Sequence, residues 1–71
     1  MPLDRRFADW VVGFRKHMSW TQRDLGARVG RDRVTIARWE SCVTYPDAIT
    51  RIYLNNIAHE EGYDAVPRKW S

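Results

Sequence analysis

Gly30 stands between two capping sequences, and this punctuation constrains the chain more than any other feature. Upstream, Thr21-Gln22-Arg23-Asp24 has the form of a capping box with Asp in place of Glu, so a helix opens at Thr21. Leu25 and Val29 give that helix an inward face, and Gly30 stops it at a position suited to a left-handed backbone. Asp32 then caps a second helix over residues 33–41, whose inward residues Ile36 and Trp39 lie at i and i+3. Two helices this short need partners to pack against.

The flanking segments supply them. Phe7, Trp10, Val11, Phe14 and Met18 recur at i, i+3, i+4, i+7 and i+11, a helical stripe facing a core, with Asp4 as its cap. After the loop Thr44-Tyr45-Pro46-Asp47, with proline in the first turn, Ile49, Ile52, Tyr53 and Ile57 form the expected core stripe of a further helix ending at Gly62. No segment shows the period of two that a strand needs. The reading is an all-α bundle of four to five helices over residues 1–61, followed by a tail, 62–71. The 71 residues make one small domain of a size that often gains stability by dimerising. The single cysteine, Cys42, makes no internal disulfide and no zinc site of ordinary spacing. The longest apolar run, Trp10-Val11-Val12, is too short for a membrane, and no apolar block follows the first charges as in a secretory signal. A cytoplasmic location is expected.

Charge separates the halves of the chain. Residues 1–44 carry nine basic and five acidic groups, net +4, and residues 45–71 carry three and four, net −1. Ten of the twelve basic residues are arginine, whose planar fork matches phosphate oxygens, so the basic half suits nucleic acid. With Ile36 and Trp39 inward, Arg33, Val34, Ala37 and Arg38 fall on the exposed side of the third helix. Arginine can bridge guanine O6 and N7, and Val or Ala can touch a thymine methyl.

The order Thr21-Gln22-x-x-Leu25-Gly26-x-x-Val29-Gly30-x-Asp32-Arg33-x-Thr35-Ile36-x-Arg38-Trp39-Glu40 closely resembles the phage-repressor-like and Cro-like (XRE) helix-turn-helix family. Pro46, seven residues after Trp39, fits the same pattern, and the resemblance covers about residues 7 to 58. It implies a lambda-repressor-like fold and a DNA-binding regulator, most concretely a homodimeric repressor on a palindromic operator. Base contact is then expected from Arg33, Val34, Ala37 and Arg38. Phosphate contact is expected from Thr21, Gln22, Arg23, Arg31, Thr35 and Thr44. The matching Arg15 and Glu40 form a partly buried ion pair in such relatives. Arg31 departs from the pattern by replacing an apolar plug, and Cys42 stands where Gly or Asn is favoured.

Other residues carry less. His17, His59 and Cys42 lack the neighbours that catalysis requires, so no enzyme, cofactor, metal or small-molecule ligand is expected. Trp10, Trp20 and Trp39 read as core. Leu54 and Ala58 point away from the expected core stripe of their helix. With Tyr63, Val66 and Trp70 of the tail they make the expected dimer interface. The rival function is an antitoxin-type module that neutralises a partner protein and binds its own promoter.

Overall fold

The computed structural model describes residues 5–67; Asp4 and Trp70, and the roles expected of them, lie outside that range. Four helices follow in order: α1 (Arg6–Met18), α2 (Gln22–Val29), α3 (Arg33–Glu40) and α4 (Ala48–Glu60). No strand occurs among the described residues. α3 packs on both α1 and α2, and α2 also meets α4. The result is a compact all-α globule with a radius of gyration of 11.1 Å.

The capping residues act as their chemistry dictates. Thr21 Oγ1 accepts from the Asp24 amide at 3.0 Å, and Asp24 Oδ2 in turn accepts from the Thr21 amide at 2.9 Å. Asp32 caps α3 by accepting from the Thr35 amide at 2.8 Å. Asp47 caps α4 in the same way through Thr50, so Pro46 precedes the helix and is not in its first turn. α1 begins after Arg5, which makes no side-chain cap.

The short connection between α2 and α3 depends on two glycines for different reasons. Gly30 takes φ +73°, a left-handed value that only glycine adopts without penalty. Gly26 lies beneath the returning chain: a Cβ there would come within 2.5 Å of the Arg31 carbonyl oxygen. The Arg31 amide donates to the Gly26 carbonyl at 2.8 Å, closing the turn over that gap.

The core is largely aromatic. Phe7, Trp10, Val11 and Phe14 of α1 meet Leu25 and Val29 of α2 and Ile36 and Trp39 of α3. Trp10 stacks on Phe14 with centroids 5.1 Å apart, and Trp39 meets the edge of Phe7 at 5.8 Å. Trp20 is half-buried, packed edge-on to Phe14 on one side and under the Arg28 guanidinium on the other.

The rotation of α4 corrects the sequence-based expectation. Leu54 and Ala58, expected at a dimer interface, are completely buried in the monomer core. Ile49, Ile52 and Tyr53, expected in the core, are 80%, 60% and 47% exposed, and only Ile57 of that stripe packs inward. The physical reason lies at the start of the helix. Thr50 is buried there, its amide held by Asp47 and its hydroxyl oxygen by Arg31. That anchor turns Leu54 and Ala58, four and eight residues on, into the core.

The tail is corrected too. Tyr63 is half-buried between α1 rings, 5.3 Å from Phe14 and 5.9 Å from Trp10, and Val66 joins the core. Trp10 Nε1 donates to the Asp64 carbonyl at 2.9 Å, and the Val66 amide donates to Asn55 Oδ1 at 2.6 Å. Residues 63–66 therefore complete their own monomer instead of forming the expected interface.

The two faces of α4 predict opposite mutational costs. Leu54→Ala should destabilise the monomer by about 2–5 kcal/mol through a core cavity. Ile52→Ala, measured at micromolar protein, should stay within about 0.5 kcal/mol, as exposed sites do. Urea unfolding midpoints of the two variants check this, and a reversed order would restore the original stripe.

Candidate nucleic-acid interface

The candidate surface is built on α3, whose orientation is set from behind by Glu40. Arg15 Nε and Nη2 donate to the two Glu40 oxygens at 2.6 and 3.1 Å, a bidentate pair between α1 and α3. Arg15 Nη1 also donates to the Trp20 carbonyl at 3.0 Å, reaching the segment that leads into α2. The hydrogen bond with Glu40 raises the Arg15 pKa above its ordinary value, against the opposing effect of burial. The ion pair expected from the sequence is present.

Gln22 joins the same network. Its Nε2 donates to Glu40 Oε1 at 3.1 Å, so the amide expected to touch phosphate is turned inward toward a carboxylate. The N-terminus of α2 nevertheless keeps donors to offer. The capping box satisfies the Thr21 and Asp24 amides, while those of Gln22 and Arg23 have no acceptor within the helix.

In front, Arg33, Val34 and Arg38 are exposed and Ala37 is half-buried between them, while Ile36 and Trp39 are buried beneath. Val34 is among the few large apolar side chains on the surface, at 46% exposure. One helix face thus carries an arginine near each end and small apolar groups between. Neither Arg33 nor Arg23 makes an ion pair or hydrogen bond with the described residues. Their guanidinium groups remain available to an outside anion.

The other expected phosphate ligands divide. Thr44 is exposed in the loop after α3. Thr35 is half-buried, and both its amide and its hydroxyl hydrogen-bond Asp32. Thr21 Oγ1 is committed to its cap. Arg31 is the residue whose role the sequence concealed. Its guanidinium donates to Thr50 Oγ1 at 3.1 Å and lies 3.5 Å from Asp47 Oδ2, tying the α2–α3 turn to the start of α4. Even so its side chain is 44% exposed, and it lines two shallow hollows flanking α3. The spacing Asp47-x-x-Thr50, itself a cap signature, was the available clue to this anchor.

Cys42 takes φ +65°, the left-handed conformation for which Gly or Asn is the usual occupant. It is half-buried, with its sulfur 3.5 Å from Arg5 Nη1. No cluster of His, Cys, Asp and Glu among the described residues could hold a metal, and no helix there is long and apolar enough to cross a membrane.

Both caps carry carboxylates held below the usual carboxylate range. For Asp32 the main cause is the Thr35 amide, then its hydroxyl; for Asp47 it is the Thr50 hydroxyl, then its amide. The nearby Arg38 and Arg31 charges act in the same direction. Since the folded values lie below the unfolded ones, this contribution is complete above roughly pH 4–5 and is lost as pH falls through the folded values. The part of the stability that these two caps contribute should therefore decline below about pH 4. The double variant Asp32→Asn/Asp47→Asn, whose amides still cap, should show a flatter acid limb in unfolding midpoints measured from pH 7 to pH 2.

No family model matches the chain, and no curated protein or solved structure matches it either.

Proposed function

We propose that α2, its turn and α3 form a helix-turn-helix, and that the chain is a sequence-specific DNA-binding transcriptional regulator. The observation that carries this reading is the outward face of α3: exposed Arg33, Val34 and Arg38, with Ala37 between, backed by buried Ile36 and Trp39. In the major groove, Arg33 reads a guanine, Arg38 contributes a second polar contact, and Val34 meets a thymine methyl. Arg23, the open amides at the start of α2 and the exposed Thr44 rest on the phosphate backbone, which fixes the register of α3 on the duplex. Arg31 adds a further phosphate contact from its place beside the turn.

A single α3 reads only a few base pairs, too little for selectivity in a genome. The concrete form of the proposal is therefore a homodimeric repressor on a palindromic operator, with half-sites one helical turn apart. The alternative, an interaction module that masks a partner protein and binds its own promoter, draws support from the exposed apolar residues of α4. Both readings use the same α3 face, and co-expression with a neighbouring gene product followed by co-purification separates them.

Selection of bound sequences from a random duplex library tests the proposal and reports any preferred half-site. On that half-site, Arg33→Ala should cost about 1–3 kcal/mol and relax preference at one position. Equal losses on selected and random duplex would show that Arg33 meets phosphate only. With about three phosphates neutralised per protomer, the log–log salt slope per half-site should be near −2.7. A salt-independent affinity would refute the phosphate-facing assignment.

A further inference from the structure

Arg51 of α4 is half-buried, yet it makes no hydrogen bond and no ion pair with the described residues. Its Nε is enclosed without an acceptor. Buried donors in folded proteins nearly always have a partner, so an orphan of this kind asks for a reason. The nearest counter-charge on the helix is already engaged. Asp47 stands one turn back and feels the Arg51 charge, but its two oxygens serve the Thr50 amide and Arg31.

The same side chain lines a hollow of about 420 Å³ between α4 and the chain that follows it. Ala48 and Ile52 give it apolar surface from the helix, and Val66 and Pro67 from the other wall. Asn55 lines it too, one turn beyond Arg51 on the same side of α4. The Val66 amide needs an acceptor and takes Asn55 Oδ1 at 2.6 Å, which fixes the carboxamide and leaves Nδ2 as a second donor. A guanidinium without a counter-ion, an amide beside it and an apolar surround thus share one hollow. We infer that this hollow docks a short segment of a partner protein, whose Asp or Glu side chain meets Arg51 and Asn55 while a neighbouring apolar residue rests on Ala48, Ile52 and Pro67.

Charge and length select that occupant. One carboxylate matches one guanidinium, whose planar fork suits it. A polyanion does not match, because residues 45–71 carry net −1 and a nucleic-acid strand or anionic lipid surface would gain a single cation there. A wholly apolar ligand would bury the Arg51 charge further with nothing to pair it. Along α4 the lining runs from Ala48 to Asn55, a rise of about 10 Å. That equals about three residues of extended chain, enough for one acidic side chain and an apolar neighbour. The site shares no residue with the α3 face, so the inference does not rest on the DNA-binding reading.

Nuclear magnetic resonance titration of the isotope-labelled full chain with the peptide acetyl-Leu-Glu-Leu-amide tests the site, read at the Arg51 Nε–H and Asn55 Nδ2 signals. Saturable shifts there with a dissociation constant on the order of 1 mM are expected for so short a probe. Replacing the peptide's Glu by Gln should weaken binding about tenfold, as should Arg51→Gln, which removes no bond within the fold and should keep the thermal transition. No saturable shift up to about 10 mM overturns the inference. So does equal binding of the Gln peptide, or equal binding by Arg51→Gln, since apolar adhesion would then suffice. Acetate that binds as tightly as the peptide also overturns it, giving the hollow to a free anion. Random duplex DNA completes the set. Its affinity should be unchanged by Arg51→Gln, and a severalfold loss would assign Arg51 to phosphate, removing this inference while leaving the DNA-binding reading in place.

Discussion

A single carboxylate holds the arrangement of the first three helices. Glu40, at the last residue of α3, accepts from Arg15 of α1 in a two-pronged pair and from Gln22 at the first residue of α2. The pair is mostly buried, with side-chain exposures of 18% and 11%. Removing one partner from such a pair leaves an uncompensated charge, typically at a cost of about 3–5 kcal/mol. Its value is geometric more than energetic, because an apolar replacement could fill the space without fixing an angle. With Glu40 held at one end and Asp32 capping the other, α3 has little freedom to roll. The outward direction of Arg33, Val34 and Arg38 follows from that restraint.

The small size of the chain makes such devices necessary. No disulfide is available, and the core draws heavily on aromatic rings whose mutual contacts are specific in angle as well as close. Capping bonds at Thr21, Asp32 and Asp47 begin three helices without ambiguity. Ser19 ends α1 in a left-handed conformation at φ 59°, and Cys42 does the same just past α3 at φ +65°. Both are positions where backbone strain is carried by the surrounding contacts.

The sequence carried the helix punctuation between Phe7 and Asp32 well. The stripe from Phe7 to Phe14, the box at Thr21, the break at Gly30 and the cap at Asp32 are local signals, and local geometry satisfies them. The Arg15–Glu40 pair was legible through resemblance alone, since nothing in the spacing of two residues 25 apart shows that they touch. α4 was misread because it bears two apolar faces. The two isoleucines make the Ile49/Ile52/Tyr53 side read as the more apolar one beside Thr50, Leu54 and Ala58, and hydropathy alone does not say which of two apolar faces is buried. What decided the rotation was a polar bond, Arg31 to Thr50, which periodicity does not see. The tail was misread for a similar reason: its anchors are backbone groups at Asp64 and Val66, which carry no sequence signature.

Gly13 shows how far apart the determinants of one contact can lie. A Cβ at that position would come within 2.5 Å of the Tyr63 hydroxyl oxygen, so the missing methyl on α1 is the slot into which the tail fits. The ring that fills the slot also covers Trp10 and Phe14 and lies 5.0 Å from His17. Segment 63–66 therefore covers the Trp10 and Phe14 rings on one side of α1. The cover of α1 thus comes from beyond the last helix, so losing four residues of irregular chain would open the core as surely as a cavity mutation within it.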